Sequence, residues 1–458
     1  MIGKNDLGNN IDCCRIRGIM KRGLIITSLI SLVLANLAGA LTLQESVDSA
    51  LTNNPSVLAA QKKLEAAKAK LGQATGAFFP TVKLDANYSR AYTEPSKIQF
   101  TTQTSLGAIT QTQTFGINEA GNIWGWTASI NQPLFVAGLF PGFKMAQNTV
   151  DIAKQELRKT TQATVYNVNV AYFNLLTTEK FLTLASDSLY MAQSHLKQVE
   201  TMLKSGVATR ADYLRAEVQV ANSEVALTQA KNNLELAKNS FNNILGRALE
   251  EPVSVSEETN NAKMALPDNA ALLQSTFESR PDWLLYALNK SILAENVGLA
   301  RSAYYPTLFL AGQTGNRVNS YPGLDFGVNS WQVAALASWT LFDGFSTQNR
   351  VKEAAANLEA QQATEEQVKN GIALEVRQAY LQLKTAVETI GSAKKAVNYA
   401  EENHKVSSLR FNSGVGTNLE EIDAQVALIQ AKTNYFKAVF DLAVAKAKIN
   451  YTVGKEVR

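Results

Sequence analysis

The sequence Ser413-Gly414-Val415-Gly416-Thr417 organises this chain, because a near copy, Ser205-Gly206-Val207-Ala208-Thr209, precedes it. Each copy follows a helical pattern of about 60 residues and precedes another of about 35. A glycine that ends one helix and a threonine that begins the next predict a turn between antiparallel helices. One such turn is what any antiparallel helix pair needs, whereas two copies in matching surroundings indicate a repeat. We call residues 205–209 the first tip and residues 413–417 the second tip.

An acidic residue follows each tip threonine by three positions. The pairs are Thr209 with Asp212 and Thr417 with Glu420. In this spacing each side chain can bond a backbone N–H at the start of the new helix, so both pairs are predicted to be capping boxes.

The first 40 residues have the order of an export signal. The basic pair Lys21-Arg22 precedes an apolar run at 24–37 and the small residues Ala38-Gly39-Ala40, as in a cleavable secretory signal. A membrane anchor is the alternative, but it would need about 20 apolar residues. Met20 would begin this signal cleanly. We therefore predict a signal peptide at residues 1–40.

Removal of that segment would leave a nearly neutral chain without cysteine. Residues 1–40 hold five of the 44 basic residues and two of the 40 acidic residues, so 39 and 38 remain. This balance gives no reason to expect a nucleic-acid partner. Cys13 and Cys14 lie in the removed segment, so no disulfide or thiol metal site is expected. No later stretch is apolar for 18 residues, which excludes a transmembrane helix but not membrane-spanning strands.

Four segments carry apolar residues at every second position, which predicts strands with one apolar face. The segments cover residues 81–90 and 124–131, a third beginning at Leu308, and a fourth at 331–339. Residues 91–121 are rich in Thr, Gln and Gly, and we predict a long loop there.

Helical patterns surround these strands in the same order twice. The first set covers residues 43–75, 143–204 and 209–246. Phe78-Phe79-Pro80, which ends the first helix, corresponds to Tyr304-Tyr305-Pro306 in the second set. The order predicts a first repeat at 41–246, a linker at 247–267 and a second repeat at 268–458. Two short helices of roughly 50 Å each, end to end, would match the long one beside them. We therefore expect a bundle with two parallel helical tracks in each repeat.

Four strands in one chain would have to combine with other copies to close a membrane barrel. An open sheet edge is not tolerated in lipid, and about eight strands make the smallest membrane barrel. Two copies would give a narrow, filled barrel, and three would give about twelve strands and a channel. A soluble β-sandwich is the alternative. In the barrel, an aromatic girdle would meet the membrane lipid; it consists of Trp124, Trp126, Trp331 and Trp339.

An ordered set of motifs resembles the TolC family of outer-membrane efflux proteins. The set comprises Leu41-Thr42-Leu43-Gln44-Glu45, Asn53-Asn54-Pro55, and the second tip followed by Ile422-Asp423-Ala424-Gln425. The resemblance covers residues 41–458. It implies an α+β membrane protein: a homotrimer with a twelve-stranded barrel in the outer membrane and a coiled-coil helical tunnel in the periplasm. It further implies an exit duct for tripartite efflux or type I secretion, joined through a periplasmic adaptor (membrane fusion protein) to an inner-membrane pump. Family cargo ranges from drugs and metal ions to proteins.

The resemblance also implies site residues. Asp423 matches an Asp near the inner end of the family's tunnel, where carboxylates form a ring at a closed, cation-binding constriction. Glu420 is a second candidate for the pore; the alternative is that it only caps its helix. Asn418 stands where some relatives carry Arg, which puts their tip-to-tip links in doubt here. The adaptor-docking tips would be Ser205, Gly206, Val207, Thr209, Gly414, Val415, Gly416 and Thr417.

The two tips are not equivalent in sequence. The first leads into Leu214-Arg215-Ala216, where the second leads into Ile422-Asp423-Ala424. Any gate is therefore expected at the second tip, with the first supporting it.

Motifs of catalysis are missing from the sequence. We find no G-x-S-x-G, P-loop or Rossmann glycine set, so we predict neither an enzyme nor a bound cofactor, and a secreted hydrolase has no supporting residues. His195 and His404 lie in long helices without a close metal-ligand partner, and we predict helix-surface positions and no metal site. The alternative to a duct is a periplasmic or cell-surface coiled-coil structural protein without a pore.

Overall fold

The computed structural model describes residues 40–257, 266 and 268–455. The predicted signal peptide, except for residue 40, lies outside these residues, as do positions 258–265 and 267 of the predicted linker. No helix in the described part of the chain has the length and hydrophobicity that a membrane span requires.

The chain begins with two consecutive helices, α1 (Leu43–Asn53) and α2 (Pro55–Gly76). Thr42 caps α1, because its Oγ1 accepts a hydrogen bond from the Glu45 N–H (3.2 Å) and its N–H donates to Glu45 Oε2 (2.9 Å). Asn54 has extended backbone between the helices, as the residue before a proline usually does. Pro55 then begins α2, where its missing N–H costs nothing.

Four strands form one antiparallel sheet in the order β1-β4-β5-β6. They are β1 (Thr81–Ala91), β4 (Gly121–Val136), β5 (Thr307–Tyr321) and β6 (Leu324–Ser338), so the four predicted strands are confirmed. The prediction of a long loop at 91–121 is wrong. This segment contains a separate hairpin of β2 (Ser96–Thr104) and β3 (Gly107–Phe115), because threonine-rich segments can satisfy their backbone groups by pairing with each other.

The register places three of the predicted girdle residues on one face of the sheet. Trp124 pairs with Val318, and Trp331 pairs with Thr314, the partner of Ala128. Because paired residues share a face, Trp124, Trp126 and Trp331 lie on the same side. Other exposed residues of this apolar face are Val82, Leu84, Tyr88, Ile130 and Val333. The opposite face carries Lys83, Asp85, Asn87, Gln313, Arg317 and Gln332.

Trp339 differs from the prediction. It lies one residue beyond the end of β6, so it is not a strand residue. Its Nε1 donates a hydrogen bond to the Tyr304 carbonyl (3.0 Å), which fixes the ring beside the turn that precedes β5.

The remaining helices follow the predicted order. They are α3 (Leu139–Lys204), α4 (Arg210–Leu245), α5 (Asn269–Ser279), α6 (Pro281–Arg301), α7 (Ser346–Ala363), α8 (Glu365–Asn412) and α9 (Asn418–Val453). In the predicted second repeat the sequence between the sheet and the second tip contains two helices, because Thr364 interrupts the helix between α7 and α8.

The chain divides into two compact units. One unit contains the described residues of 1–58, 160–280 and 373–458, including both tips; the other contains 59–159 and 281–372, including the sheet. The first unit has a core around Tyr172 and Phe241, neither of which has exposed surface. A second core in the same unit joins α5, α8 and α9 through Leu383 and Val453.

The ends of α4 and α9 are built alike. Gly246 and Gly454 end these helices with φ of 72° and 75°. A Cβ on Gly246 would lie 2.5 Å from the Asn53 carbonyl oxygen, and one on Gly454 would lie 2.8 Å from Arg280 Cα. Both positions therefore require glycine for backbone conformation and for space, next to the residues that precede Pro55 and Pro281.

Candidate functional site at the paired tips

Both tips turn at a glycine with positive φ, 76° at Gly206 and 73° at Gly414. At the first tip the Val207 N–H donates to the Met202 carbonyl (2.9 Å), and at the second the Val415 N–H donates to the Arg410 carbonyl (3.0 Å). These bonds are those of a Schellman motif, which ends a helix on a left-handed residue. No atom lies within 4 Å of a Cβ built on Gly206 or Gly414, so the backbone conformation alone favours glycine there.

The predicted capping boxes are confirmed at both tips. Thr209 Oγ1 accepts from the Asp212 N–H (3.1 Å) and the Thr209 N–H donates to Asp212 Oδ2 (3.1 Å). Thr417 and Glu420 make the same two bonds at 3.2 and 3.4 Å. The hydrogen bond from the Thr209 hydroxyl is the main cause of a lowered pKa at Asp212. These bonds satisfy N–H groups that would otherwise be unpaired at the helix starts.

The ends of the tips are exposed in the chain. Val207 is 70% exposed and Val415 is 69% exposed, which is high for apolar side chains. Gly416 differs, because it is half-buried and a Cβ there would lie 2.9 Å from the Phe411 nitrogen.

A buried hydrogen-bond chain joins the two tips within one chain. His195 Nε2 lies 2.6 Å from Asn418 Oδ1, and Asn418 Nδ2 donates to the Asp212 carbonyl (3.2 Å) and Oδ1 (3.4 Å). Because the amide nitrogen donates to Asp212, the amide oxygen accepts and His195 Nε2 is the donor. Asn418 therefore joins the two tips of one chain, while the presence of links that hold a duct shut stays untested.

The prediction that His195 lies on the helix surface is wrong. The residue is 4% exposed, and its ring centroid lies 5.0 Å from that of Phe411. Val199, Ala216 and Phe411 form a small apolar cluster beside it, contributed by α3, α4 and α8. Burial opposes the charged ring and lowers the pKa of His195, although the hydrogen bond to Asn418 and the nearby Glu421 act in the other direction.

A buried carboxylate lies next to this chain of hydrogen bonds. Glu421 is 3% exposed; its Oε1 accepts from Gln425 Nε2 (3.0 Å) and lies 3.4 Å from His404 Nε2. Its Oε2 is buried and has no hydrogen-bond partner among the described residues. His404 is partly buried, with 23% of its side chain exposed. A buried carboxylate needs such partners, because its desolvation is costly.

The two predicted pore residues have different surroundings. Glu420 caps α9 and its Oε2 lies 3.9 Å from Arg410 Nε, so its contacts within the chain are those of a cap. Asp423 is exposed and makes no hydrogen bond or ion pair with the residues that the structure describes. The roles of both residues at a pore stay predictions. Sequence reasoning missed His195 and Glu421, because their burial depends on neighbours far away in the chain.

Nothing in the described part of the chain suggests a metal centre. No group of three or more His, Cys, Asp or Glu residues in the described ranges could hold a metal ion. The arrangement at the tips suits hydrogen bonding between helices and contact with a partner through the exposed ends.

Comparison with known proteins gives matches over most of the chain. The profile of the family described as "Outer membrane efflux protein" matches residues 46–247 and 272–454. The outer membrane protein TolC of Escherichia coli (strain K12) is 22% identical over an alignment of 434 residues that covers 92% of this chain and 83% of TolC. The alkaline protease secretion protein AprF of Pseudomonas aeruginosa is 21% identical over an alignment of 440 residues that covers 92% of this chain and 86% of AprF. The crystal structure of the Campylobacter jejuni CmeC outer membrane channel has a TM-score of 0.76 at 16% identity, and the match covers 90% of this chain and 85% of CmeC.

Proposed function

This chain belongs to the outer membrane efflux protein family, and from that membership we propose that it is the passive exit duct of a tripartite efflux or type I secretion system. Its location is the outer membrane, and its role is that of a channel in efflux or secretion. The finer steps of the proposal concern the assembly, the partners and the direction of transport.

The sheet is the observation that carries the proposal. β1 and β6 are its two edges, and an open edge in lipid would leave unpaired backbone groups that cost several kcal/mol each. One face is lined by exposed apolar side chains, of which Trp331 is 80% exposed. When three copies close a barrel of about twelve strands, the edge groups are paired and the apolar face lies against lipid instead of water, with the polar face toward a channel. A pore-free coiled-coil protein would have no use for such a sheet.

The tips support a docking role in the same assembly. Both expose a valine at the end of a rigid, capped helical turn, which is a surface suited to a helical partner. The partner we propose is a periplasmic adaptor that joins the duct to an inner-membrane pump. The pump would supply the energy, since the sequence carries no nucleotide-binding motif.

Cysteine cross-linking across the sheet edges tests the trimer. The chain has no cysteine after Cys14, so introduced pairs react without background. Asp85→Cys on β1 is combined in turn with cysteine at polar-face positions of β6: Ser330, Gln332 and Ala334. At least one pair should give oxidant-dependent links between chains that stop at three copies.

Thr127→Cys on β4 is the matched control for Asp85→Cys. It pairs directly with Asp85 in the register, but β4 is flanked by strands of its own chain on both sides. It should therefore give no links between chains. A ladder beyond three copies, or links from Thr127 as readily as from Asp85, would contradict the closed trimer.

A further inference from the structure

We propose that His195, Asn418 and Asp212 form a proton-sensitive latch that ties the two tips of one chain together, and that acidification releases it. As regulation of a duct, this rests on the proposed function. The latch itself is a property of one chain and can be tested without transport.

The latch joins α9 to two helices that are distant from it in the sequence. His195 lies near the end of α3, Asp212 in the first turn of α4, and Asn418 is the first residue of α9. The bonds at Asn418 span 223 residues to His195 and 206 residues to Asp212. A single asparagine therefore fixes the start of α9 against both helices of the first tip.

The latched state favours the neutral form of His195, because the ring is buried. In that form Nε2 carries the proton that is donated to Asn418, and Nδ1 carries none. A second proton on Nδ1 makes the ring cationic, and the ring is only 4% exposed beside Phe411 and Val199. A charge that is buried in this way carries a desolvation cost.

The charged groups around the His195 ring determine whether acid strengthens or weakens the latch. Glu421 on α9 favours a proton on His195, whereas His404 on α8 opposes it. Asp212 and Arg215 face the other side of the latch through Asn418. Burial outweighs the favourable contacts, so the pKa of His195 lies below its ordinary value of 6.5.

Acid therefore weakens the latched state. With a lowered pKa, the stabilisation is complete above the ordinary histidine pKa and is lost as the pH falls through that value toward the lowered one. His404 makes a different contact, since its Nε2 lies 3.4 Å from Oε1 of the buried Glu421. His404 is thus the natural control for a histidine near the tips that is not part of the latch.

Hydrogen exchange of the purified, detergent-solubilised full chain measures the latch directly. Tip peptides covering 203–212 and 410–418 would be followed at about pH 7.5 and about pH 5.5, on either side of an ordinary histidine pKa, with correction for intrinsic exchange rates. In the wild type we expect corrected exchange to rise on acidification, by at most about tenfold per pH unit, the limit for a single proton. Equal corrected rates at both pH values would overturn the proposal.

Substitutions distinguish the titration of His195 from its structural role in the latch. His195→Gln keeps an amide N–H that can reach Asn418 but does not titrate, so protection should be retained and the acid response lost. His404→Gln should keep the acid response. An acid response in His195→Gln equal to that of the wild type would refute the latch.

If His195→Gln does not retain protection of the tip peptides, Asn418→Ala gives a second test. It removes the acceptor without altering either histidine, so exchange should be fast at both pH values. Persistence of the wild-type response would again count against the latch. Bilayer conductance of the same samples distinguishes the two proposals: conductance without acid-dependent exchange rejects only the latch, and the reverse result rejects only the duct.

Discussion

Replacing Gly414 by alanine should loosen the second tip through the backbone alone. The residue has φ of 73° and open space around its Cβ position, so no side-chain clash adds to the effect. An L-residue in this left-handed conformation costs about 1–2 kcal/mol, which corresponds to a roughly 5- to 30-fold increase in local opening. Amide exchange at Val415 and Gly416 reports this opening, because both N–H groups donate to the Arg410 carbonyl.

Gly391→Ala is the matched control for this change. Gly391 lies inside α8, has no positive φ and has nothing within 4 Å of a Cβ. Alanine should stabilise the helix there by about 0.8–1.0 kcal/mol, so the two substitutions have opposite signs. If the tip is the docking surface, Gly414→Ala should impair adaptor binding more than trimer formation. Exchange at Val415 that matches the wild type in Gly414→Ala would refute the conformational argument.

Three further changes test other parts of the structure. Asp423→Ala should raise the conductance of the closed duct, and unchanged conductance in planar bilayers would argue against a gating role. Phe241→Ala should lower the free energy of unfolding by about 3–5 kcal/mol, because loss of a fully buried ring leaves a cavity. Leu236→Ala, on the exposed side of the same helix, should change that free energy by less than about 0.5 kcal/mol. Denaturant unfolding followed by circular dichroism measures both changes. Gly125→Val should block pairing of β4 with β5, because its Cβ would lie 2.3 Å from the Asn316 carbonyl oxygen; recovery of normal trimer on a native gel would contradict this.

Local signals predicted much of the fold correctly. The glycines at 206 and 414 have the expected left-handed backbone, and the threonines at 209 and 417 make the expected capping boxes. These features depend on residues within one or two turns, so the sequence contains their causes. The four strands of the sheet were also recognisable, because apolar residues recur at every second position in part of each strand.

The hairpin of β2 and β3 was missed because its strands lack that signal. Both are exposed along their whole length and rich in Thr and Gln, a composition shared with loops. Only pairing between them, with Thr101 opposite Thr110, distinguishes a hairpin from a loop.

The environment of His195 could not be read from local sequence. Its helix neighbours resemble those of a surface residue, and its burial comes from Phe411 and Asn418, more than 200 positions away along the sequence. The identity of residue 418 alone does not indicate a contact with His195, because the histidine comes from a different helix. The structure shows that Asn418 joins the two tips within one chain through His195 and Asp212.

Conductance of the purified protein in planar lipid bilayers tests the central claim most directly. A closed barrel of three copies around a continuous channel predicts stable, discrete conductance steps from protein recovered in the outer-membrane fraction. A trimer inserted in the bilayer that never conducts above the level of the protein-free membrane would contradict the account.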